Sequence, residues 1–488
     1  MAEGGRPLVA VVGGGVSGLA AARVLAGLAP AALEEKLEGV GVVLLEASGR
    51  LGGKILTGEL GGHLVELGPD QLLRRDPSAE RLCRHLGLGD DLVAPVPGGA
   101  AVYSYGEMRP LPRGLVLGVP TDLDALAASG IVSADGVSRA GKGATDAAVI
   151  SAAELGLAGD GGAERTAGSL LRERLGDEVV DRLVDPLLGG INAGGVDAMS
   201  LAVSAPHVAR ALCGARQVVG PLRALARPAV PPAGAPAGPV FLGLRGGLGR
   251  LVDRCRAELE RSGVDVRIAT PARGLRLLPD GGVEVATASG EAIRCDGVVL
   301  ASPGHDAAAL LGEAAPEAAD ELAGVPYASV AVLTARYAPG SVELPGQWSG
   351  VLVPRIERML MTAATWLSVK WPWMVPDGSV LVRVSAGRYG DERIAGLDDA
   401  SLAERLLEEL GAVSGVDAQP AEVSVTRWER AFPQYRPGHP RRIEAVRQML
   451  AAAGPVELAG AVLGGIGVPA CIRSGESAAV RLAARLRR

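Results

Sequence analysis

Three glycines, Gly13, Gly15 and Gly18, stand in the spacing G-x-G-x-x-G between an apolar run, residues 8–12, and a helix-like stretch from Val16 to Leu28. Each has its own physical task. Gly13 permits a tight turn, Gly15 lets the backbone approach a pyrophosphate, and Gly18 lets helix and strand pack closely. Gly14, Val16 and Ser17 complete the loop, and the helix start offers free N–H groups and a partial positive charge to phosphates. In a chain with 70 Gly a lone G-x-G-x-x-G says little. The strand-turn-helix context is what turns this one into a dinucleotide site.

Glu46 closes the second apolar run, residues 40–46, where an acid hydrogen-bonds a ribose hydroxyl. It falls about ten residues later than the usual spacing, and PAALEEKLEG (30–39) absorbs the difference as a longer helix or a loop. Ala47 follows, then Arg50-Leu51-Gly52-Gly53-Lys54. An acid followed by R-x-G-G separates FAD proteins from plain NAD dehydrogenases. Arg50 would neutralise pyrophosphate, and Gly52 and Gly53 let the chain pass beside the cofactor. Gly68-Pro69-Asp70 fixes a turn suited to press against a flavin. Near the end, Gly464-Gly465-Ile466-Gly467-Val468 follows a strand and precedes a helix, with Ser474 as its expected N-cap. A helix N-terminus there would stabilise negative charge on a reduced flavin ring.

Positioning these residues takes an α/β frame. The opening is βαβ. Helical patterns such as 79–88 and 179–188 mark residues 75–230, while 134–166 shows little periodicity and 228–239 is a Pro-rich loop. A helix at 247–261 and strands at 264–269, 282–288 and 297–302 restore the α/β texture, and strand patterns dominate 325–430. The expected division is an FAD-binding domain of residues 1–75, 240–310 and 440–488, a helical domain of 76–239 carrying part of the substrate-binding region, and a substrate-binding domain of 311–439.

A chain of 488 residues suits two or three domains, and 48 % hydrophobic residues with two Phe imply a Leu/Val/Ala core. The net charge of −6, with Arg interleaved among acids, excludes the basic footprint of a nucleic-acid binder. Five scattered Cys without a CxxC pair, and five His without ligand spacing, argue against disulfides and metal and for a reducing, cytoplasmic setting. There is no signal peptide and no transmembrane stretch. Peripheral membrane contact stays open.

More specific segments lie elsewhere. They are Arg182-Leu-Val-Asp-Pro-Leu-Leu-Gly-Gly-Ile-Asn-Ala-Gly194, Leu352-Val-Pro-Arg355 with Lys370-Trp371-Pro372, Arg427-Trp428 with Pro433-Gln434-Tyr435 and Gly438-His439, and the closing GIGVPACIRSG. Together the chain resembles the protoporphyrinogen oxidase family, including its Gram-positive-type coproporphyrinogen III oxidase branch. The resemblance implies a p-hydroxybenzoate-hydroxylase-type FAD domain with a mixed-sheet substrate domain and a helical domain. It carries FAD contacts to Gly13–Gly18, Glu46, Gly68–Asp70, Ala272 (a backbone contact), Trp428 and Ile466–Val468. It places Gly190 and Asn192 beside the substrate, Asn192 standing where the family often has an aromatic. Arg75 and Lys370 are candidates for substrate carboxylates, although Lys370 reads better as a strand residue covering the core with its stem. The implied reaction removes six hydrogens from a porphyrinogen in three rounds, each passing a hydride to the flavin, with oxygen reoxidising it to give hydrogen peroxide. Transient contact with the next heme-pathway enzyme goes with that role.

No side chain stands out as a general base. His439, in a Pro-Gly-His-Pro loop, reads as structural rather than catalytic. Protoporphyrinogen IX oxidase is the close alternative, since the two substrates differ in one pair of side chains. More distant alternatives are an amine or carotenoid oxidase, against which the 182–194 and 427–439 segments argue, and a non-catalytic flavoprotein.

Overall fold

Strand β1 (Leu8–Val12) alternates its side chains between two cores. Val9 and Val11 point into one apolar cluster, and Ala10 and Val12 into the other. A strand buried on both faces belongs inside a parallel sheet. The computed structural model, which describes residues 6–28, 40–96, 98–142, 148–158, 163–226, 239–346 and 348–487, builds that sheet. Its order is 265–267, β2 (Gly41–Leu45), β1, 297–300 and 456–458. All four pairings are parallel. Helix α1 (Val16–Leu25) and the helices Gly249–Arg261 and Val468–Leu486 cover one face. The helices Gly304–Leu311, Pro316–Ala323 and His439–Ala453 cover the other. Segments from the start, middle and end of the chain thus share one α/β layer, as the βαβ opening implies. Segment 30–39 and residues 228–238 lie outside the described residues.

A second, seven-stranded sheet runs in the order 422–433, 327–337, 380–386, 361–366, 350–352, 101–104, 107–110. Residues 101–110 therefore join the strand-rich part, within a stretch expected to be mainly helical. The long strand Glu422–Pro433 is irregular where Ala328 and Val330 oppose it, and Arg430 adopts φ +44. Such a bulge re-aims the residues beside it.

Helices of residues 123–226 gather around a third apolar cluster. Ala134–Lys142 is helical, contrary to the featureless reading of 134–166. Its hold is tertiary: Arg139 donates to the carbonyl of Glu173 at 3.1 Å, and a Cβ on Gly136 would strike the Glu178 carboxylate. Residues Val180–Gly189 wind as a π-helix with Pro186 inside. A widened helix of this kind tolerates a proline and often marks a functional site.

Helices α1 and Val468–Leu486 touch backbone to backbone. A Cβ on Gly475 would lie 2.0 Å from the carbonyl oxygen of Ser17. Gly475→Ala should force the helices apart and cost about 2 kcal/mol. Thermal unfolding of the apo protein would show this as a clearly lowered midpoint, and an unchanged midpoint would refute the contact.

Candidate functional site

The glycine loop divides its work in three. Gly13 holds φ +109, and a Cβ there would sit 2.9 Å from the Ala301 carbonyl. On Gly18 a Cβ would overlap the Gly13 oxygen at 1.8 Å. Gly15 differs, because its Cβ would meet only Gly53 Cα at 3.9 Å. The protein does not fill the space over Gly15; a cavity of about 740 Å³ does. Gly14 serves the wall behind: its N–H donates to Glu46 at 2.7 Å, and Ser48 N–H donates to the other Glu46 oxygen at 2.8 Å. Two backbone donors thus fix the acid at the strand end, on the cavity rim.

The cavity runs from this loop between the two sheets. Gly13, Gly15, Val16, Ser17, Glu46, Ala47 and Ala272 line it. So do Gly53, Gly68, Pro69, Trp428, Ile466, Gly467 and Val468. The Trp428 indole N–H donates to the Leu67 carbonyl at 2.8 Å, so one bond fixes both the ring and the 66–70 turn.

Two residues expected to touch the cofactor are engaged elsewhere. Arg50 spends its guanidinium on the carbonyls of Leu51, Gly53 and Ile55 at 2.7–3.3 Å, clamping the glycine pair from behind. Asp70 pairs with Lys370 at 2.6 Å. Burial pushes the Asp70 carboxyl up, but Lys370 and Arg383 more than offset it and leave it below the ordinary range. Lys370 itself ends a short helix, Leu367–Lys370, rather than sitting in a strand. Next to this pair, burial pushes Glu66 up to about 7. Gly18 also stays off the cavity wall, holding α1 to β1.

Lys54, Tyr327, Arg383 and Cys471 line the cavity without having been singled out. Lys54 directly follows R-x-G-G, so the motif carried the signal. Burial lowers its ammonium pKa, against the opposing pull of Cys471 and Asp306. Tyr327 accepts the Gly304 N–H at 2.7 Å, and burial pushes its phenol up to about 12.

The helix Val468–Leu486 starts at Gly467, with Pro469 in its first turn. Ser474 lies inside it and accepts the N–H of Gly460 at 2.8 Å, so it braces the loop rather than capping the helix. The same loop is gripped from outside. The Tyr435 hydroxyl donates to the Ala461 carbonyl at 2.5 Å and accepts the Gly465 N–H at 2.9 Å. His439 bonds the Val462 carbonyl through Nε2 at 2.8 Å. Burial pushes His439 down to about 4 and the Tyr435 phenol up. Both side chains are therefore neutral near pH 7.

The same segment reaches the helical part. The side-chain amide of Gln434 donates to the Asn192 carbonyl at 3.0 Å, and Ser200 N–H donates to the Tyr435 carbonyl at 2.7 Å. Gly190 is exposed and a Cβ there would meet nothing within 4 Å. Asn192 turns inward, donating to the Leu188 carbonyl at 3.0 Å. Arg75 is exposed, outside the cavity, and its charge acts on His207 of the helical part. Among the described residues no cluster of metal-ligating side chains occurs.

A parallel sheet that aims a glycine-opened helix at a long cavity, roofed by a second sheet, defines an FAD-type flavoprotein. The open face of Gly15 and the fixed carboxylate of Glu46 suit the pyrophosphate and ribose of that group. The chain belongs to the flavin-containing amine oxidoreductase family, whose model matches residues 16–483, and its cofactor is FAD. It is 32 % identical over 477 residues to a coproporphyrinogen III oxidase of Bacillus subtilis, covering 97 % of each chain. To a coproporphyrinogen III oxidase of Mycobacterium leprae it is 34 % identical over 482 residues, covering 98 % of each. A crystal structure of a protein from Exiguobacterium sp. 255-15, assigned as a protoporphyrinogen oxidase, superposes with a TM-score of 0.81 at 29 % identity, covering 98 % of this chain and 99 % of that one.

Tyr435→Phe removes both hydroxyl bonds to the loop. Buried groups left unpaired cost about 1–3 kcal/mol each, so FAD should bind the apo protein at least about tenfold more weakly. Flavin fluorescence titration checks this. His439 gives a pH dependence of known sign. The unfolded chain takes up a proton below about 6.5, but the folded protein only near 4. Stability is therefore lost as pH falls through that window. His439→Gln keeps a donor for Val462 without the titration. Urea unfolding at about pH 7 and about pH 5 should show the variant losing about 2 kcal/mol less than the parent.

Proposed function

We propose that this protein oxidises coproporphyrinogen III to coproporphyrin III, removing six hydrogens, with molecular oxygen as terminal acceptor. The near full-length match to two coproporphyrinogen III oxidases carries the reading. FAD supplies the two-electron acceptor. The loop of Gly13, Gly15, Val16 and Ser17 holds its pyrophosphate, and Glu46 and Ala47 its ribose. Ala272 meets it through the backbone. Gly53, Gly68, Pro69 and Trp428 flank the ring, and Ile466–Val468 presents a helix start to it. The substrate lies at the Gly190 turn, which Gln434 and Tyr435 join to the flavin-side loop. One rigid segment thus sets the distance between the two reactants, and such positioning is a large part of catalysis. His439 is held in a hydrogen bond to Val462 and serves as no base. The chain's contribution is binding, orientation and electrostatics.

In this reading residues 1–75, 240–310 and 440–488 carry the cofactor, 311–439 with strands 101–104 and 107–110 the substrate sheet, and the rest of 76–239 the helical cover. We place the enzyme in the cytoplasm, handing its porphyrin by transient contact to the next heme-pathway enzyme. Among the described residues no helix is long and apolar enough to cross a membrane.

The test is direct. The purified protein should be yellow, and in air it should raise porphyrin fluorescence from coproporphyrinogen III while producing hydrogen peroxide. A yellow protein inert on both porphyrinogens would overturn the reading. Turnover of protoporphyrinogen IX alone would overturn the choice of substrate.

A further inference from the structure

The charges beside the Gly190 turn do not balance. Asp185, on the π-helix, faces two arginines. Arg355 Nε lies 3.8 Å from the Asp185 carboxylate, and its Nη2 donates to the Gly194 carbonyl at 3.2 Å. Arg388 is half-buried, and its side chain forms no hydrogen bond or ion pair among the described residues. The other carboxylates close by are taken. Asp391 pairs with Arg393 at 2.6 Å, and Glu357 with Arg182 at 2.8 Å. Asp185 is committed to the Val196 N–H at 3.0 Å. Tyr389, next to Arg388, has its hydroxyl bonded by Arg436 at 2.7 Å.

Arg355 and Arg388 therefore share the Asp185 carboxylate, with Asp391 already held by Arg393. Burial raises the Asp185 pKa, so its compensation is weakened further. Burial, with the neighbouring Arg355, depresses Arg388 against the opposing pull of Asp185 and Asp391. An unpaired, desolvated guanidinium is costly unless something anionic completes it. Beside these cations Ile191 is 53 % exposed, a large apolar side chain directly after Gly190. A ligand that suits both features has a flat apolar body and carboxylates on its rim.

Resting on the porphyrinogen reading above, we propose that Arg355 and Arg388 are a carboxylate-binding pair that takes the rim carboxylates of the substrate and sets its preference for a tetracarboxylate over a dicarboxylate. Guanidinium groups suit this task because their planar fork binds carboxylate in two parallel hydrogen bonds. Arg388 is the cleaner probe, since Arg355 also supports the backbone at Gly194.

The experiment uses the holoprotein and porphyrin fluorescence. Binding of coproporphyrin III, its uncharged tetramethyl ester and protoporphyrin IX is measured for the parent, Arg388→Gln and Arg388→Lys, together with KM and kcat on both porphyrinogens. Loss of one charge-assisted contact should weaken coproporphyrin III binding about tenfold. The ester should be unaffected and protoporphyrin IX affected less. Arg388→Lys should restore most of the loss, and KM should move while kcat stays. Equal effects on acid and ester, or no effect on either, would overturn the pair. If neither porphyrinogen turns over but Arg388→Gln still loses coproporphyrin III selectively, the assigned reaction fails and the carboxylate site stands.

Discussion

Close backbone contacts at two glycines hold the site together. Gly18 lets α1 lie against the Gly13 carbonyl, and Gly475 lets the helix Val468–Leu486 lie against the Ser17 carbonyl. Contacts this close fix the two helix starts relative to each other, and both open on one cavity. Each brings unsatisfied N–H groups and the positive end of a helix dipole. In the proposed pose one start would meet the phosphates and the other the flavin ring. Backbone donors thus add positive potential to a cavity that Lys54 and Arg383 also line. Arg50 stands behind the glycine pair and braces the carbonyls of Leu51, Gly53 and Ile55.

A second link depends on the first. The loop at 461–465 holds one 3-10 turn, Ala461–Leu463, and Tyr435 and His439 grip it from outside. Both are buried among apolar groups, where a hydrogen bond is stronger than in water and an unmade one is expensive. Burial also keeps both neutral, so the grip does not loosen near neutral pH. Gln434 and Tyr435 also hold the Asn192 and Ser200 backbone, which ties the helical part to the 461–465 loop. A polar segment deep inside the protein is thus a spacer between two binding regions.

Much of this was legible in the sequence, for identifiable reasons. Strands such as Leu8–Val12 and Gly297–Leu300 show as apolar β-branched runs because a doubly covered parallel sheet demands them. The glycine loop was legible because each glycine answers a separate steric need. Ser474 misled because a serine in a glycine-rich turn resembles a cap, while Pro469 carried the truer start signal. The helix Ala134–Lys142 escaped because its stability comes from Glu178 and Glu173, far along the chain, and not from its own periodicity. Lys370 read as a strand residue because nothing local announces Asp70, three hundred residues away. Asp185, Arg355 and Arg388 come from three separate segments, and no spacing rule joins them.

The two anion-binding regions are built from different materials, and the difference follows from their ligands. A pyrophosphate is the same in every turnover, so fixed backbone donors suit it, with no rotamer entropy to lose and no titration to undergo. Rim carboxylates must be met at the open edge of a macrocycle that enters and leaves repeatedly. Long guanidinium side chains reach such groups and release them, at the cost of leaving unpaired charge in the empty site. The depressed Arg388 beside a partly compensated Asp185 is the form that cost takes. Such a cation costs fold stability, and a carboxylate ligand would offset that cost.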